Sequence, residues 1–257
     1  MNTDEVKLQS VERVSEIVDL IQANGPMGTT EITEALDVPT STAHDYLSSL
    51  HDLEYLVKTK GKYDLGLRLL DHGMAARGRH PVVEAGRSTI EQLADTTGEA
   101  VWLVTEEHGR GVYLDYALGQ QAVQTYARIG TRSPLHLTAS GKSILAHLSE
   151  ERVREIVDSH GLEQRTERSI TSLDELLTEL DATRNRGYAV NDQEAIQGTR
   201  AVGTGIIVDE SVVGAISIVG PANRMTDRRL EDGLVDHVRG AANELELKLS
   251  QVSVTHD

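Results

Sequence analysis

Small polar side chains cluster on one side of a helix predicted to begin near Pro39, and their chemistry suits contact with DNA. At 3.6 residues per turn, Ala43, Leu47 and Leu50 share the buried arc of this helix. The opposite arc carries hydroxyl, imidazole and carboxylate groups, which can exchange hydrogen bonds with base edges. The candidate base-contacting residues are Thr40, Ser41, Thr42, His44 and Asp45.

Three lysines follow this helix and could bind phosphates beside the groove. Lys58, Lys60 and Lys62 surround Gly61, whose freedom to adopt a positive φ favours a tight hairpin. An ordinary amphipathic helix with a solvated face would explain the polar arc alone. The order of helix, short turn, helix and basic hairpin instead favours a winged helix-turn-helix.

Apolar periodicity predicts the elements that position these residues. An amphipathic helix over 8–23 comes first, and a second helix ends at Leu36. The turn Asp37–Pro39 then leads into the recognition helix, for which Thr40 is the predicted N-cap.

A narrow apolar seam marks the next predicted helix. Leu67, Leu70 and Met74 repeat at helical spacing, and such a seam commonly meets its own copy in a dimer. Packing on the same chain is the alternative. A Gly-Arg-His-Pro stretch then indicates a linker. The predicted domains are a DNA-binding domain over 1–65, a linker helix over 66–81 and a second domain over 82–257.

Helical and strand-like patterns in the second domain predict an α+β fold with a largely antiparallel sheet covered by helices. The predicted helices are 82–97, 138–148, 149–159, 172–185 and 226–249. The predicted strands are 100–106, 111–117, 122–129, 188–191, 201–208 and 212–219.

Two polar stretches of this domain could bind a small molecule. Arg132–His136 leads into the helix predicted from Thr138, whose first N–H groups could attract an anion. Ser140–Ser143 resembles the end of a P-loop, but His136 replaces its first glycine, which argues against a nucleoside triphosphate. Asn191–Glu194 could turn polar groups into a pocket, and turn formation would explain the same residues.

Composition excludes several classes of protein. The absence of cysteine removes disulfides and thiolate metal sites. No apolar run is long enough to cross a membrane, so a cytoplasmic location is expected. The ten histidines show no metal-binding spacing and G-x-S-x-G is absent, so we expect neither a metal enzyme nor a hydrolase, and no cofactor.

The net charge of −16 is unexpected for a protein that binds DNA. Residues 1–80 alone hold 13 acidic and 8 basic side chains, a net charge of −5. The scarcity of lysine and the absence of phenylalanine are typical of proteins from salt-loving organisms. Because the Debye length is about 3 Å in 1 M salt, the lysines of the hairpin could suffice there.

Six separate segments follow one another in a specific order from Leu8 to Leu249. They are SVERVSEIVDLI, VPTSTAHDYLSSLHDLEYL, YDLGLRLLDHG, IGTRSPLHLTASGKSILAH, RGYAVNDQEAIQGTRAVGTGI and GAISIVGP. Together they resemble the IclR family of transcriptional regulators. The resemblance implies a winged helix-turn-helix, a dimerising linker helix and a GAF-like mixed-sheet effector domain. It also implies a homodimer or homotetramer that binds promoter DNA and responds to a small organic acid or aromatic metabolite.

The resemblance further implies an effector site, with some departures from the family pattern. Asp45 replaces a usual arginine, and Glu54 replaces the glycine that usually precedes the wing. Ala201 and Val219 replace frequent Cys and Ser, which makes the pocket less polar. The implied effector-binding residues are Gly130, Leu135, Asn191, Asp192, Glu194, Ala201, Ser217 and Val219. A small-molecule sensor that does not bind specific DNA sequences is the alternative function.

Overall fold

The computed structural model describes residues 8–123 and 127–254. The chain divides into two compact units, Met1–Arg79 and His80–Asp257. They are called the N-terminal unit and the C-terminal unit below.

The N-terminal unit combines helices with a small antiparallel sheet. The helices are α1 (Gln9–Asn24), α2 (Thr29–Leu36), α3 (Thr40–Asp52) and α4 (Arg68–Arg77). The strands are β1 (Met27–Gly28), β2 (Leu56–Thr59) and β3 (Lys62–Leu65), in the order β1-β3-β2. Its core brings together Ile17 and Ile21 from α1, Ile32 from α2 and Leu47 from α3. The amphipathic patterns of the three helices therefore meet in one core.

The seam predicted on the fourth helix is exposed. Leu67 is 80% exposed, Leu70 59% and Met74 49%, and α4 has no buried residue. This stripe of three apolar side chains, called the α4 stripe below, does not contribute to the core of the N-terminal unit.

The C-terminal unit is built on a six-stranded sheet. Its strands are β4 (Ala100–Glu107), β5 (Arg110–Leu118), β6 (Arg132–Pro134), β7 (Ala189–Asp192), β8 (Thr199–Val208) and β9 (Ser211–Pro221). Its helices are α5 (Pro81–Thr97), α6 (Ala139–Leu145), α7 (Glu150–His160), α8 (Leu173–Arg186), α9 (Asp227–Arg229) and α10 (Val235–Val254). The strand order is β6-β5-β4-β9-β8-β7, and every neighbouring pair is antiparallel. The predicted α+β fold with an antiparallel sheet is confirmed.

Helices cover both faces of this sheet. Successive side chains of β4 point to opposite faces, so this strand contributes to two separate cores. Val101 and Leu103 pack with α5 and α10, whereas Trp102 and Val104 pack with α6, α7 and α8. Residues on one strand therefore contribute to opposite layers.

Two predicted elements of this unit differ from the structure. Residues 124–126 of the predicted strand 122–129 lie outside the described residues, and the described remainder is not a strand. After β5 the chain turns back, because Gln121 N donates to Gly98 O and Ala122 N to Gly119 O. The edge strand is instead β6, three residues that end in a proline.

The final predicted helix is interrupted. Thr226 caps its first turn by accepting a hydrogen bond from Arg229 N, but a wider π-helical turn occupies Leu230–Leu234. Gly233 in this turn has a φ of +141°, which is readily available only to glycine. Apolar periodicity alone does not reveal such a break.

Candidate DNA-binding and effector sites

The N-terminal unit contains a helix-turn-helix with a short connection. Asp37 ends α2 in the left-handed conformation, with a φ of +50°, and its N–H donates to Thr33 O. Only Asp37–Pro39 separate α2 from α3. A turn of three or four residues between two helices is the arrangement that places a recognition helix in the major groove.

The predicted base-contacting residues share the exposed surface of α3. Thr40, Ser41, Thr42, His44 and Asp45 are all exposed, whereas Ala43 and Leu47 are buried. None of the five side chains has a hydrogen bond or ion pair with the described part of the chain. Their polar groups are therefore available to a ligand such as DNA.

The prediction that Thr40 caps the recognition helix was wrong. Pro39 occupies the N-cap position, and no side chain caps this helix end. Pro39 O accepts a hydrogen bond from Ala43 N at 3.0 Å, as the carbonyl oxygen of an N-cap residue does. Thr40 is the first helical residue, and its hydroxyl stays free on the surface.

The hairpin β2–β3, called the wing below, places its lysines in three different environments. Lys60 and Gly61 both have positive φ, +51° and +81°, as in the type I′ turns that suit two-residue hairpins. The register pairs Lys58 with Tyr63 and Thr59 with Lys62. Because paired residues share one face, Lys58 and Lys62 lie on opposite faces of the wing.

Two of the three wing lysines have partners within the chain. Lys58 Nζ donates to Tyr63 Oη at 2.9 Å and lies 4.5 Å from the centre of that ring. Lys62 Nζ is 3.4 Å from Glu31 Oε2. A hydrogen bond from Gly28 N and the charge of Lys62 lower the pKa of Glu31. Lys60, at the tip, has no such partner among the described residues.

The C-terminal unit has a partly open cavity of about 100 Å³ on the α6 side of its sheet, called the effector cavity below. No charged side chain lines it among the described residues. Its lining residues are Trp102, Tyr113, Ala127, Thr138, Ala139, Ser140, Asn191, Ala195, Ile196, Thr199, Ala201, Ser217 and Val219. A dry cavity of about 150 Å³ in another protein holds benzene, so the part of a ligand that lies inside this smaller cavity is no larger than a single ring.

Aromatic rings form one wall of the cavity. Trp102 and Tyr113 pack edge to face with centroids 4.9 Å apart, and Tyr116 lies 4.8 Å from Trp102. Burial raises the pKa of Tyr113, although Ser133 and Arg165 oppose this shift. The phenol therefore stays neutral at physiological pH. This wall combines apolar surface with one polar hydroxyl.

Four of the eight predicted effector-binding residues line this cavity: Asn191, Ala201, Ser217 and Val219. Ser217 faces it because Ile216 and Ile218, its neighbours on β9, pack into the core on the other side of the sheet. The sequence reasoning missed Trp102 and Tyr113. Alternation along 100–106 could have identified Trp102 as the residue facing opposite to Val101 and Leu103.

The other four predicted residues lie elsewhere. Leu135 is buried in the core beneath α6, and Gly130 is exposed in a turn with a φ of +85°. Asp192 forms ion pairs with Arg168 and Arg200. Glu194 binds Lys142, which opposes the rise in the pKa of Glu194 that burial causes. The carboxylates of Asp192 and Glu194 therefore have partners within the protein itself.

The residues expected to attract an anion before α6 have other partners. Arg132 pairs with Glu107 at 3.0 Å. Burial lowers the pKa of His136, whose Nε2 is 3.1 Å from Glu163 O. Thr138 caps α6 by accepting a hydrogen bond from Gly141 N at 3.0 Å, and it lines the effector cavity. Among the described residues, the polar side chains that line the cavity are all uncharged.

No three His, Asp or Glu side chains in 8–123 and 127–254 are arranged to hold a metal ion. Within the same ranges, no helix has the length and apolar character that a membrane span requires.

A helix-turn-helix with an exposed polar surface, together with a unit that has a ligand-sized cavity, is typical of ligand-responsive DNA-binding regulators. The family model for the IclR helix-turn-helix domain matches residues 10–60, and that for the bacterial transcriptional regulator IclR C-terminal region matches 74–247. The chain belongs to the IclR family of transcriptional regulators. The family and the regulatory function predicted from its motifs are confirmed.

Relatives match nearly the whole chain. A probable HTH-type transcriptional regulator, ArcR, of Halobacterium salinarum is 32% identical over 253 residues, 96% of each chain. The IclR structure of Thermotoga maritima aligns with a TM-score of 0.77 at 30% identity, covering 94% of this chain and 99% of that one. An IclR homolog of Microbacterium hydrocarbonoxydans, complexed with 4-hydroxybenzoate, shares the fold, with a TM-score of 0.79 at 23% identity and 93% and 97% coverage.

Proposed function

We propose that α3 reads promoter DNA through Thr40, Ser41, Thr42, His44 and Asp45, while Lys58, Lys60 and Lys62 approach the phosphates. The observation that carries this assignment is that these five side chains of α3 are exposed and have no hydrogen bond or ion pair with the described part of the chain. Lys60 has the largest role among the lysines, because Lys58 and Lys62 have partners within the chain. Three of the six lysines of the chain lie in the wing, which supports its role.

The functional unit in this proposal is a homodimer or homotetramer in the cytoplasm that performs no catalytic step. The α4 stripe supports this assembly, since Leu67, Leu70 and Met74 are exposed on one helix. A C₂ dimer would present two copies of α3 to two half-sites of the operator.

The effector in this proposal is a small aromatic carboxylic acid bound in the effector cavity. The single observation that carries this class is the ring-sized cavity with Trp102 and Tyr113 in its wall. The neutral polar groups of Asn191, Ser140 and Ser217 can hydrogen-bond a carboxylate without a cation. The 4-hydroxybenzoate complex of the Microbacterium hydrocarbonoxydans homolog is consistent with this size and chemistry.

Thermal shift measurements with benzoate, 4-hydroxybenzoate and aliphatic acids test the effector class. A ligand at 100 times its Kd stabilises the native state by about 2.7 kcal/mol, so an aromatic acid should raise the unfolding temperature. Ala201→Leu would fill the cavity and should abolish the shift, whereas Ala182→Leu on the exposed side of α8 should preserve it. A shift that survives Ala201→Leu, or one caused by aliphatic acids alone, would contradict the proposed effector.

A further inference from the structure

A buried lysine and glutamate pair lies behind the wall of the effector cavity without lining it. Lys142 Nζ is 2.7 and 2.9 Å from the two carboxylate oxygens of Glu194, and the two side chains are 2% and 9% exposed. Glu179 Oε1 is 3.5 Å from the same ammonium group and also accepts from Arg186 at 2.7 Å. The pair therefore connects α6 with the loop after β7.

Glu194 also fixes the orientation of Asn191, which does line the cavity. Glu194 N donates to Asn191 Oδ1 at 2.9 Å, and Glu194 Oε1 accepts from Asp192 N at 3.2 Å. A backbone N–H can only donate, so the Asn191 atom that faces it must be the oxygen. The amide NH₂ of Asn191 is left as the group available to the cavity.

The environment of this NH₂ group points to a ligand. Asn191 is 5% exposed, and its NH₂ group has no hydrogen-bond partner within the described ranges. The NH₂ nitrogen is not among the fully buried, unpartnered side-chain atoms of these ranges, so a molecule in the cavity can reach it. A hydrogen-bond acceptor in the cavity would satisfy this donor, and a carboxylate or phenol oxygen has the required chemistry.

The backbone of Glu194 is held from its other side as well. Ser169 Oγ donates to Glu194 O at 2.8 Å, and Thr166 Oγ1 lies 3.3 Å from the same oxygen. The next residue, Ala195, lines the cavity. A change in the position of Glu194 would therefore alter both Asn191 and Ala195.

We propose that Lys142 and Glu194 are positioning residues that hold Asn191 as a hydrogen-bond donor to an oxygen atom of the ligand. Stability alone does not explain a buried ion pair, because apolar residues of similar volume often replace both partners without loss. The location of this pair behind the cavity wall supplies a functional reason. This inference rests on the proposed effector cavity.

The test uses the fluorescence of Trp102, the one tryptophan of the chain, during titration with benzoate. Glu194→Gln and Lys142→Met should each raise the Kd about tenfold, the effect of losing one hydrogen bond. Asn191→Ala should raise the Kd as much. The double variant Asn191→Ala/Glu194→Gln should have the same Kd as Asn191→Ala alone. The Lys248→Met/Glu244→Leu variant removes a more exposed lysine and glutamate pair as the control.

The double variant Lys142→Met/Glu194→Leu separates positioning from stability. Its unfolding temperature should be closer to that of the wild type than the unfolding temperatures of the single variants are, while its affinity for benzoate stays low. Recovery of the affinity together with the stability would assign the pair a structural role only and overturn the proposal.

Acrylamide quenching of Trp102 without ligand tests positioning separately. The quenching constant should rise about twofold in Glu194→Gln and Lys142→Met, because a loosened wall opens locally. Unchanged quenching in both variants would overturn the proposal. Failure of benzoate to bind the wild-type protein would instead contradict the proposed effector class, and the quenching result would still decide the positioning role.

Discussion

Glu54 adopts a backbone conformation that favours glycine. Its φ is +64°, at the point where the chain leaves α3 and turns towards the wing. A left-handed conformation costs a residue with a Cβ about 1–2 kcal/mol. The resemblance implies that Glu54 stands where the family usually has a glycine, and the positive φ supplies a physical reason for that glycine.

We expect Glu54→Gly to raise the free energy of unfolding of the N-terminal unit by about 0.5–1 kcal/mol. Relief of the left-handed strain exceeds the larger entropy that glycine has in the unfolded chain. Chemical denaturation followed by circular dichroism measures the change. Glu54→Ala keeps the strain and serves as the control, so an equal gain in both variants would contradict this explanation.

Glu99 is fully buried and binds two arginines. Its carboxylate accepts hydrogen bonds from Arg224 at 2.6 and 2.9 Å and from Arg229 at 2.7 Å. Burial alone would raise the pKa of Glu99, but the hydrogen bonds and charges of the two arginines outweigh it and lower the pKa. This cluster ties the start of β4 to the segment around α9.

We expect Glu99→Gln to destabilise the C-terminal unit by about 2 kcal/mol at neutral pH, because it leaves two arginines without their counter-ion. A lowered pKa contributes stability above the ordinary carboxyl value of about 4.3, and this contribution is lost as the pH falls through the lowered value. The difference between wild type and variant should therefore shrink in acid. Urea unfolding monitored by Trp102 measures it, with the exposed Glu151→Gln as control. A difference that does not depend on pH would contradict the assignment.

At the scale of the elements, the proposed role of the wing in DNA binding depends on lysines in unequal environments. Lys60 at its tip has no internal partner among the described residues, whereas Lys62 partly neutralises Glu31. Only contacts that displace counterions from DNA contribute to the salt dependence of binding. The three lysines therefore differ in their expected effects.

Lys60→Ala should reduce the slope of log K against log salt concentration by about 0.9, the value for one phosphate contact. Lys62→Ala should reduce it less, because this lysine already has Glu31 as a partner. Fluorescence anisotropy with a labelled duplex measures the slopes, and Lys248→Ala in the C-terminal unit is the control. Equal slopes for wild type and Lys60→Ala would exclude the tip of the wing from the interface.

The elements show what local patterns can predict. The strands from 100 to 117 and from 188 to 219 were predicted to within two residues at each end, because alternation and turn residues mark them. In the described part of the predicted strand 122–129, the apolar residues Val123 and Ile129 are exposed and no strand forms. The cavity depends on tertiary contacts between Trp102, Ser217 and α6, which no local pattern specifies. Likewise, the pairing of Glu194 with Lys142 joins residues far apart in the sequence.

At the scale of the whole molecule, the net charge of −16 opposes both compactness and binding to DNA. The acidic, lysine-poor composition supports the proposal of a salt-adapted protein. The similarity to a regulator of Halobacterium salinarum is consistent with it. Salt would screen the repulsion between carboxylates beyond about 3 Å at 1 M.

We expect the unfolding temperature to rise by at least about 3 °C between 0.2 and 2 M KCl, because screening should add about 1 kcal/mol to the stability. Differential scanning calorimetry measures the transition. The same protein in sorbitol of equal osmolality separates screening from a general cosolute effect. An unfolding temperature that falls as KCl increases would contradict salt adaptation.

In the proposed function, the polar surface of α3 reads the DNA sequence despite the acidity of the chain. Selection of binding sites from random duplexes in concentrated KCl tests this most directly. We expect one enriched motif that binds at least about tenfold more tightly than scrambled DNA, as expected from one or more good base contacts. His44→Ala should change that motif. Equal binding of all sequences, or a motif unchanged by substitutions along α3, would contradict the account.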